Sequence, residues 1–318
     1  MARQEGDWRS KLPPVPLPCP VPDRAGTMGL ALLAVVVAGT ACRGACPGGC
    51  ARGTPVAPET PVGRAGASAT TRRFGGSRPA RVIAREGTAQ GLLLALHGYG
   101  DDGASFVQAL GLPALARRKG LVLVAPDGTL DPRGHRFWNA TDACCDFFDQ
   151  PVDDVAYLRA LLAEVSAAYG VDARRRYVLG LSNGAFMAHR LACEAADEIA
   201  AIVPIAGTTW ADPDRCRPSS PVSVLQVHGD ADRIIFYQGG QHVLGRGKGL
   251  YPGSVATIER WARLDHCSGA RVPAPPALDL DREPGAETWV EQVAGCPAGV
   301  DVRLFTLRGG PHVPAFGA

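Results

Sequence analysis

The sequence predicts an α/β fold, with a mainly parallel central sheet flanked by helices. Two observations lead there: short, almost uninterrupted apolar runs recur along the chain, and they alternate with longer stretches of helical spacing. Runs this apolar suit strands covered on both faces, as parallel strands between helix layers are. In order they are LLLALH at 92–97, LVLVA at 121–125, YVLGL at 177–181, AIVPIAG at 201–207 and VSVLQVH at 222–228, with a last strand expected over 300–307. The clearest helical pattern, 152–169, sets Val155, Leu158, Leu162 and Val165 on one face. It also places Asp153 and Asp154 in the first turn, where negative charge suits the helix dipole. With 318 residues, 46% of them apolar, the chain is able to bury a full core.

Composition narrows the classes of function. A net charge of +2 without a lysine or arginine block lacks the electrostatic footprint of a nucleic-acid binder, so no nucleic-acid partner is expected. Ten cysteines, an even number, favour disulfides and export. The segment 28–41, MGLALLAVVVAGTA, has an apolar centre too short to span a bilayer, ends in small residues, and follows Arg3, Arg9, Lys11 and Arg24. Residues 1–41 therefore read as a signal-peptide region, with Met28 as an alternative start. Cys42 then leaves two routes open, a lipid anchor at that cysteine or free secretion, and either puts the protein outside the cell. Residues 42–79, rich in Ala, Gly, Pro, Thr and Arg without apolar periodicity, read as a flexible linker, and 80–318 as the folded domain. Cys42, Cys46 and Cys50 have no nearby His or further Cys to complete four ligands, so no metal is expected.

The chemistry centres on one serine. Gly180-Leu181-Ser182-Asn183-Gly184 matches G-x-S-x-G, a tight strand-to-helix turn that exposes a serine hydroxyl, and it lies between an apolar strand and the helix formers AFMAHRLACEAA. A serine hydroxyl needs a base to take its proton, and the base needs a carboxylate to hold it. Downstream the chain supplies His228-Gly229-Asp230-Ala231-Asp232 after one strand and Gly309-Gly310-Pro311-His312 after another. The order Ser, Asp, His is that of the α/β-hydrolase arrangement, with Asp230 and Asp232 both candidates for the acid. Charge developing on a substrate carbonyl also needs N–H donors. The turn His97-Gly98-Tyr99-Gly100 and the residue after the nucleophile supply them, which assigns an oxyanion hole to the amides of Tyr99 and Asn183. His97 and His228 read as structural histidines at strand ends. His189 and His266 fall in helical patterns, and His135 and His242 in loops.

Together LHGYGDDGASF, WNATDACC, DDVAYLRALL, GLSNGAFMAHRLACE, VHGDADRIIFYQGG and GGPHVP resemble the secreted polyhydroxybutyrate depolymerase and feruloyl esterase group of α/β-hydrolases, from about residue 80 onward. The resemblance implies Asp232 as the acid, Ser182 as the nucleophile and His312 as the base. The run YQGG followed by WARLDHC resembles feruloyl-esterase-like members, in which a cysteine after that helix forms a disulfide. Cys267 follows the helical stretch and Cys296 precedes the strand leading to His312, so a Cys267–Cys296 bridge is expected, with the partners of Cys144, Cys145, Cys193 and Cys216 left open. Pro311 before His312, and the lack of Trp after it, depart from related chains. So do the six residues that follow His312, where relatives continue into a closing helix.

The long segment 127–150 carries Phe137, Trp138, Phe147 and Phe148 and reads as an ordered flap. It makes Trp138 the expected wall of an acyl pocket, and Tyr237 in YQGG is assigned as a second substrate contact. The reading is thus an exported serine carboxylic ester hydrolase without metal or organic cofactor, acting on hydroxycinnamoyl esters of plant cell-wall polysaccharide. The alternatives are depolymerisation of polyhydroxybutyrate or its oligomers, and, from another class, an inactive exported binding protein.

Overall fold

The computed structural model describes residues 73–316, apart from 86, 242–248, 275–277, 279 and 281–286. The signal-peptide region, Cys42 and its neighbouring cysteines, most of the expected linker and His242 lie outside the described residues.

The apolar runs become the centre of a nine-stranded sheet. Its members are β1 (Arg81–Ile83), β2 (Gly91–Leu96), β3 (Leu121–Ala125), β6 (Arg176–Leu181), β7 (Ala201–Ile205), β8 (Ser223–Gly229), β11 (Arg271–Pro273), β12 (Thr288–Val293) and β13 (Val302–Leu307). Their order across the sheet is β1-β3-β2-β6-β7-β8-β13-β12-β11. Two short hairpins lie apart from it, β4 (Thr129–Leu130) with β5 (Arg136–Phe137), and β9 (Gly239–Gln241) with β10 (Leu250–Pro252). Across the sheet the strands from β3 to β13 run parallel, and β1, β12 and β11 close the edges antiparallel.

Side-chain alternation splits β2 between two cores, which is why the whole strand is apolar. Leu93 and Ala95 face one core, with α1 (Gly103–Ala109) and α2 (Leu112–Lys119). Leu92, Leu94 and Leu96 face the other, with α3 (Asp154–Tyr169), α4 (Asn183–Glu194) and α5 (Ser254–Leu264). In α3 the expected face is buried, and the two aspartates at its start play different parts. Asp153 caps the helix by accepting the Ala156 N–H (2.9 Å), and Gly170 ends it in the left-handed region. Asp154 is fully buried, paired with Arg78 (2.7 Å) and accepting the Asn139 N–H (2.7 Å).

That pair corrects the domain boundary. Phe74 is buried in the core and its carbonyl accepts the Ala80 N–H (2.9 Å), and the Arg78 guanidinium lies 3.6 Å from the Tyr157 ring centroid. The folded domain therefore includes residues 74–79, which were expected to be linker. One aromatic anchor and one buried ion pair hold a stretch whose Gly, Arg and Pro content hides them.

Among the described residues three disulfides staple the fold: Cys267–Cys296, Cys193–Cys216 and the adjacent pair Cys144–Cys145. The first joins the end of α5 to the turn between β12 and β13.

Asp265 closes α5 in a buried site. One carboxylate oxygen accepts the Val222 N–H (2.9 Å), and the other has no partner among the described residues. Burial pushes its carboxyl up to about 7, against the Val222 hydrogen bond, which lowers it. Between the ordinary carboxylate range and pH 7 the folded state thus keeps a proton that the unfolded chain has lost, so this group's contribution to stability falls as pH rises through that window. Thermal melts from pH 4 to 8 should show wild type losing on the order of 2–4 kcal/mol relative to Asp265→Asn, which cannot ionise. Parallel pH profiles for the two proteins would show that Asp265 is ionised throughout.

Candidate active site

The nucleophile turn is a steric solution. Ser182 follows β6 with φ 53° and ψ −116°, outside the usual space for a residue with a side chain, and α4 begins at the next residue. The turn closes so tightly that a Cβ on Gly180 would stand 2.1 Å from the Gly184 carbonyl oxygen, and one on Gly184 the same distance from that of Leu96. Glycine is required at both ends of the motif for that reason. The Ser182 N–H donates to the Ile205 carbonyl (2.8 Å), tying the turn to β7.

The Ser182 hydroxyl lies 2.9 Å from Nε2 of His312, and Nδ1 of His312 lies 2.7 Å from Oδ2 of Asp232. Pro311, the departure from related chains, leaves His312 within reach of both partners. Asp232 is buried, and its Oδ1 accepts the N–H groups of Ile234 (2.8 Å) and Ile235 (3.0 Å). Burial alone would raise this carboxyl. The hydrogen bonds from His228 and His312, the His312 charge and the Ile234 amide outweigh it and hold Asp232 well below the usual carboxylate range. Asp230 plays another part, since its Oδ1 accepts the Gly309 N–H (2.6 Å) and fastens the loop that carries His312 to the end of β8. Geometry thus separates the two candidate acids.

His228 is fully buried behind Asp232. Its Nε2 reaches both Asp232 Oδ2 (3.1 Å) and the Ile235 carbonyl (2.8 Å), and its Nδ1 meets the Ser254 hydroxyl (2.6 Å). A carbonyl only accepts, so Nε2 carries the proton, and in the neutral ring the Ser254 hydroxyl donates to Nδ1. His228 and His312 therefore donate to the same carboxylate oxygen. The strand-end His before Gly was legible as structural, but Ser254 carried no sequence signal.

The expected oxyanion turn passes close to the nucleophile: a Cβ on Gly98 would lie 3.6 Å from the Ser182 Cβ. His97 locks this turn, with Nε2 accepting the Gly128 N–H (2.9 Å) and Nδ1 donating to the Gly98 carbonyl (2.7 Å). Asn183, the first residue of α4, has no intrahelical acceptor for its own N–H. Tyr99 packs its ring edge against Phe147 at 5.1 Å and donates its hydroxyl to Asp131. Burial and that bond push the phenol up to about 12.

Trp138 does not line an acyl pocket, contrary to expectation. It is fully buried, its indole N–H donates to the His97 carbonyl (3.0 Å), and its backbone N–H and C=O bond the Asn183 side chain (2.7 and 2.9 Å). The indole braces the turn expected to hold the oxyanion, and the main chain braces Asn183. Residue type alone does not tell on which side of a turn a tryptophan falls. Tyr237 is half-buried, its hydroxyl bonded to Thr306 (2.7 Å) and its ring edge-on to His228. His189, on a helix as expected, is buried in a polar chain in which Trp261 donates to Nδ1 (2.9 Å) and Nε2 meets Gln226 (3.0 Å). Burial drops its pKa to about 4, so it stays neutral at physiological pH.

A strand-turn-helix serine, a histidine after the last parallel strand and a buried aspartate define a serine ester hydrolase of the α/β-hydrolase fold. Residues 78–244 match the phospholipase/carboxylesterase family, and the chain belongs to it. It is similar to the putative esterase NocK of Nocardia uniformis subsp. tsuyamanensis, 32% identical over 311 residues, covering 89% of this chain and 88% of that protein. It is also similar to feruloyl esterase B of Piromyces equi, 29% identical over 206 residues, which cover 64% of this chain and 35% of that protein. Among solved structures, the acetyl xylan esterase from Aspergillus awamori shares the fold, with a TM-score of 0.52 at 14% identity over 76% of this chain and 92% of that one.

The shared oxygen yields a prediction. His228→Ala removes one of the two histidine donors to Asp232 Oδ2, the oxygen that holds His312. Turnover of 4-nitrophenyl acetate should fall by roughly tenfold or more with little change in KM, because the loss is felt when Asp232 must steady the charged base. Ser254→Ala should lower turnover less. Unchanged turnover with a lower melting temperature would mean that His228 only supports the fold.

Proposed function

We propose that the protein is an exported serine esterase that releases hydroxycinnamic acids from their esters on plant cell-wall polysaccharide. The hydrogen-bonded line from Ser182 through His312 to Asp232 is the observation that carries the chemistry. In this reading His312 Nε2 takes the Ser182 proton as Oγ attacks the ester carbonyl, and Asp232 steadies the imidazolium formed. The amides of Tyr99 and Asn183 face the developing oxyanion, and the alcohol leaves with the proton returned by His312. Water then enters by the same route, deprotonated by His312, and frees the acid from Ser182. The cycle needs no metal or organic cofactor.

Three features support an aromatic acyl group. Ile234 and Phe236 after Asp232, and Val313 after His312, are exposed apolar residues beside the triad. Tyr99 and Phe147 add a half-buried aromatic pair at the oxyanion turn. A relative is a feruloyl esterase by name. Export is supported by the apolar segment 28–41 and the three disulfides, and Cys42 is the position a lipid anchor would use.

The test is a panel of methyl ferulate, 4-nitrophenyl acetate and a hydroxybutyrate trimer ester. The expected kcat/KM is at least about tenfold higher for methyl ferulate than for the trimer, as a matched aromatic contact in the transition state gives. Ser182→Ala should abolish all three activities, by a factor on the order of 10⁶ in kcat. A faster trimer would make the enzyme a polyester depolymerase. No hydrolysis of any ester by the wild type would make it a binding protein.

A further inference from the structure

Trp289 stands apart from the other described tryptophans. Trp138, Trp210 and Trp261 are buried, and Trp289 is 56% exposed. An indole in water forgoes the burial that normally stabilises it, yet this one is firmly held. It lies within β12, directly opposite Thr306 of β13, and the Arg308 guanidinium rests 4.7 Å from its ring centroid.

Register places it on the level of the nucleophile. Leu181 pairs with Ile205, Ile205 with Val227, Val227 with Phe305, and Phe305 with Val290. Ser182 follows the first member of this row and Trp289 adjoins the last, both toward the C-terminal ends of the parallel strands. Four strand spacings separate them, about 19 Å at ~4.8 Å each.

The border of the ring is polar. Alternation along β12 puts Glu291 on the same face, where it pairs with Arg271 (2.6 Å). Thr306, opposite Trp289, holds the Tyr237 hydroxyl at 2.7 Å. A flat ring with the Arg308 guanidinium over it, and with hydroxyls, a carboxylate and a second guanidinium at its border, matches the chemistry of a pyranose. The C–H face of a sugar packs on the indole and its hydroxyl rim finds hydrogen-bonding groups.

We propose that Trp289, with Arg308 over its ring and Glu291, Arg271 and Tyr237 at its border, is a glycan-binding platform that grips the polysaccharide backbone at a distance from the ester being cleaved. The platform rests on the reading of the substrate as a polysaccharide ester. It also gives Tyr237 a place in substrate binding remote from the acyl group. At this distance the platform meets a sugar several units from the esterified one, so its binding energy reaches polymeric substrates and not small esters.

Trp289→Ala should lower kcat/KM on feruloylated arabinoxylan about tenfold more than on methyl ferulate, chiefly through KM, because ground state and transition state are gripped alike. Trp289→Phe, which keeps a flat aromatic face, should recover most of the loss. A second measurement is independent of ester chemistry: retardation of the Ser182→Ala protein in native gels containing de-esterified arabinoxylan. Retardation that disappears with Trp289→Ala added supports the platform even if methyl ferulate proves a poor substrate. Equal losses on polymer and methyl ferulate, or retardation undiminished by the second substitution, overturn it, whichever acyl group the enzyme prefers.

Discussion

The positive-φ backbone at Ser182 is the constraint on which the other parts of the site depend. A non-glycine residue held there costs on the order of 1–3 kcal/mol and persists only where its surroundings over-determine it. Here they do. The Ser182 N–H is bonded to β7, its carbonyl accepts from Ala185 (2.9 Å) and Phe186 (3.1 Å), and Gly180, Gly184 and Gly207 let three backbones approach where any side chain would collide. The same turn sets Ser182 at the C-terminal end of a central parallel strand and starts α4 one residue later. Strain, exposure and the position of the amide proposed as oxyanion donor thus follow from a single backbone conformation.

The acid and the base come from β8 and β13, which are neighbours in the sheet, and their loops are fastened to each other before any substrate arrives. Asp230 holds Gly309, the Ala231 N–H donates to Gly310 (3.2 Å), and a Cβ on Gly229 would stand 2.1 Å from the Gly310 oxygen. Asp232 then faces four donors, two from histidines and two from the main chain. A buried carboxylate this well satisfied stays ionised, and ionisation is what lets it stabilise a charged His312. The adjoining Cys267–Cys296 bridge restrains the far end of the same region.

Local signals carried the sequence reading a long way. The fully apolar runs marked parallel strands because only burial on both faces tolerates them, and G-x-S-x-G between such a run and helix formers located Ser182. Strand-end positions pointed to His312 and to Asp230 or Asp232, and the family resemblance chose Asp232 between them. What stayed hidden depends on contacts distant in sequence. Phe74 and Arg78 look like linker until Asp154 and Tyr157 are folded against them. Trp138 is a brace and not a pocket wall because its indole meets His97, 41 residues away. Ser254 and Trp289 gain meaning only from the strands and loops that stand beside them. Cys144 and Cys145, neighbours in sequence, pair with each other, an option the spacing did not recommend.

The central claim is that Ser182 is made nucleophilic by His312. Incubation with a fluorophosphonate at neutral pH, followed by peptide mass mapping, tests it without any assumption about the natural acyl group. A single adduct on Ser182 that forms readily in wild type and orders of magnitude more slowly in His312→Ala is the predicted result. An adduct on another residue, or equal labelling rates with and without His312, would contradict it.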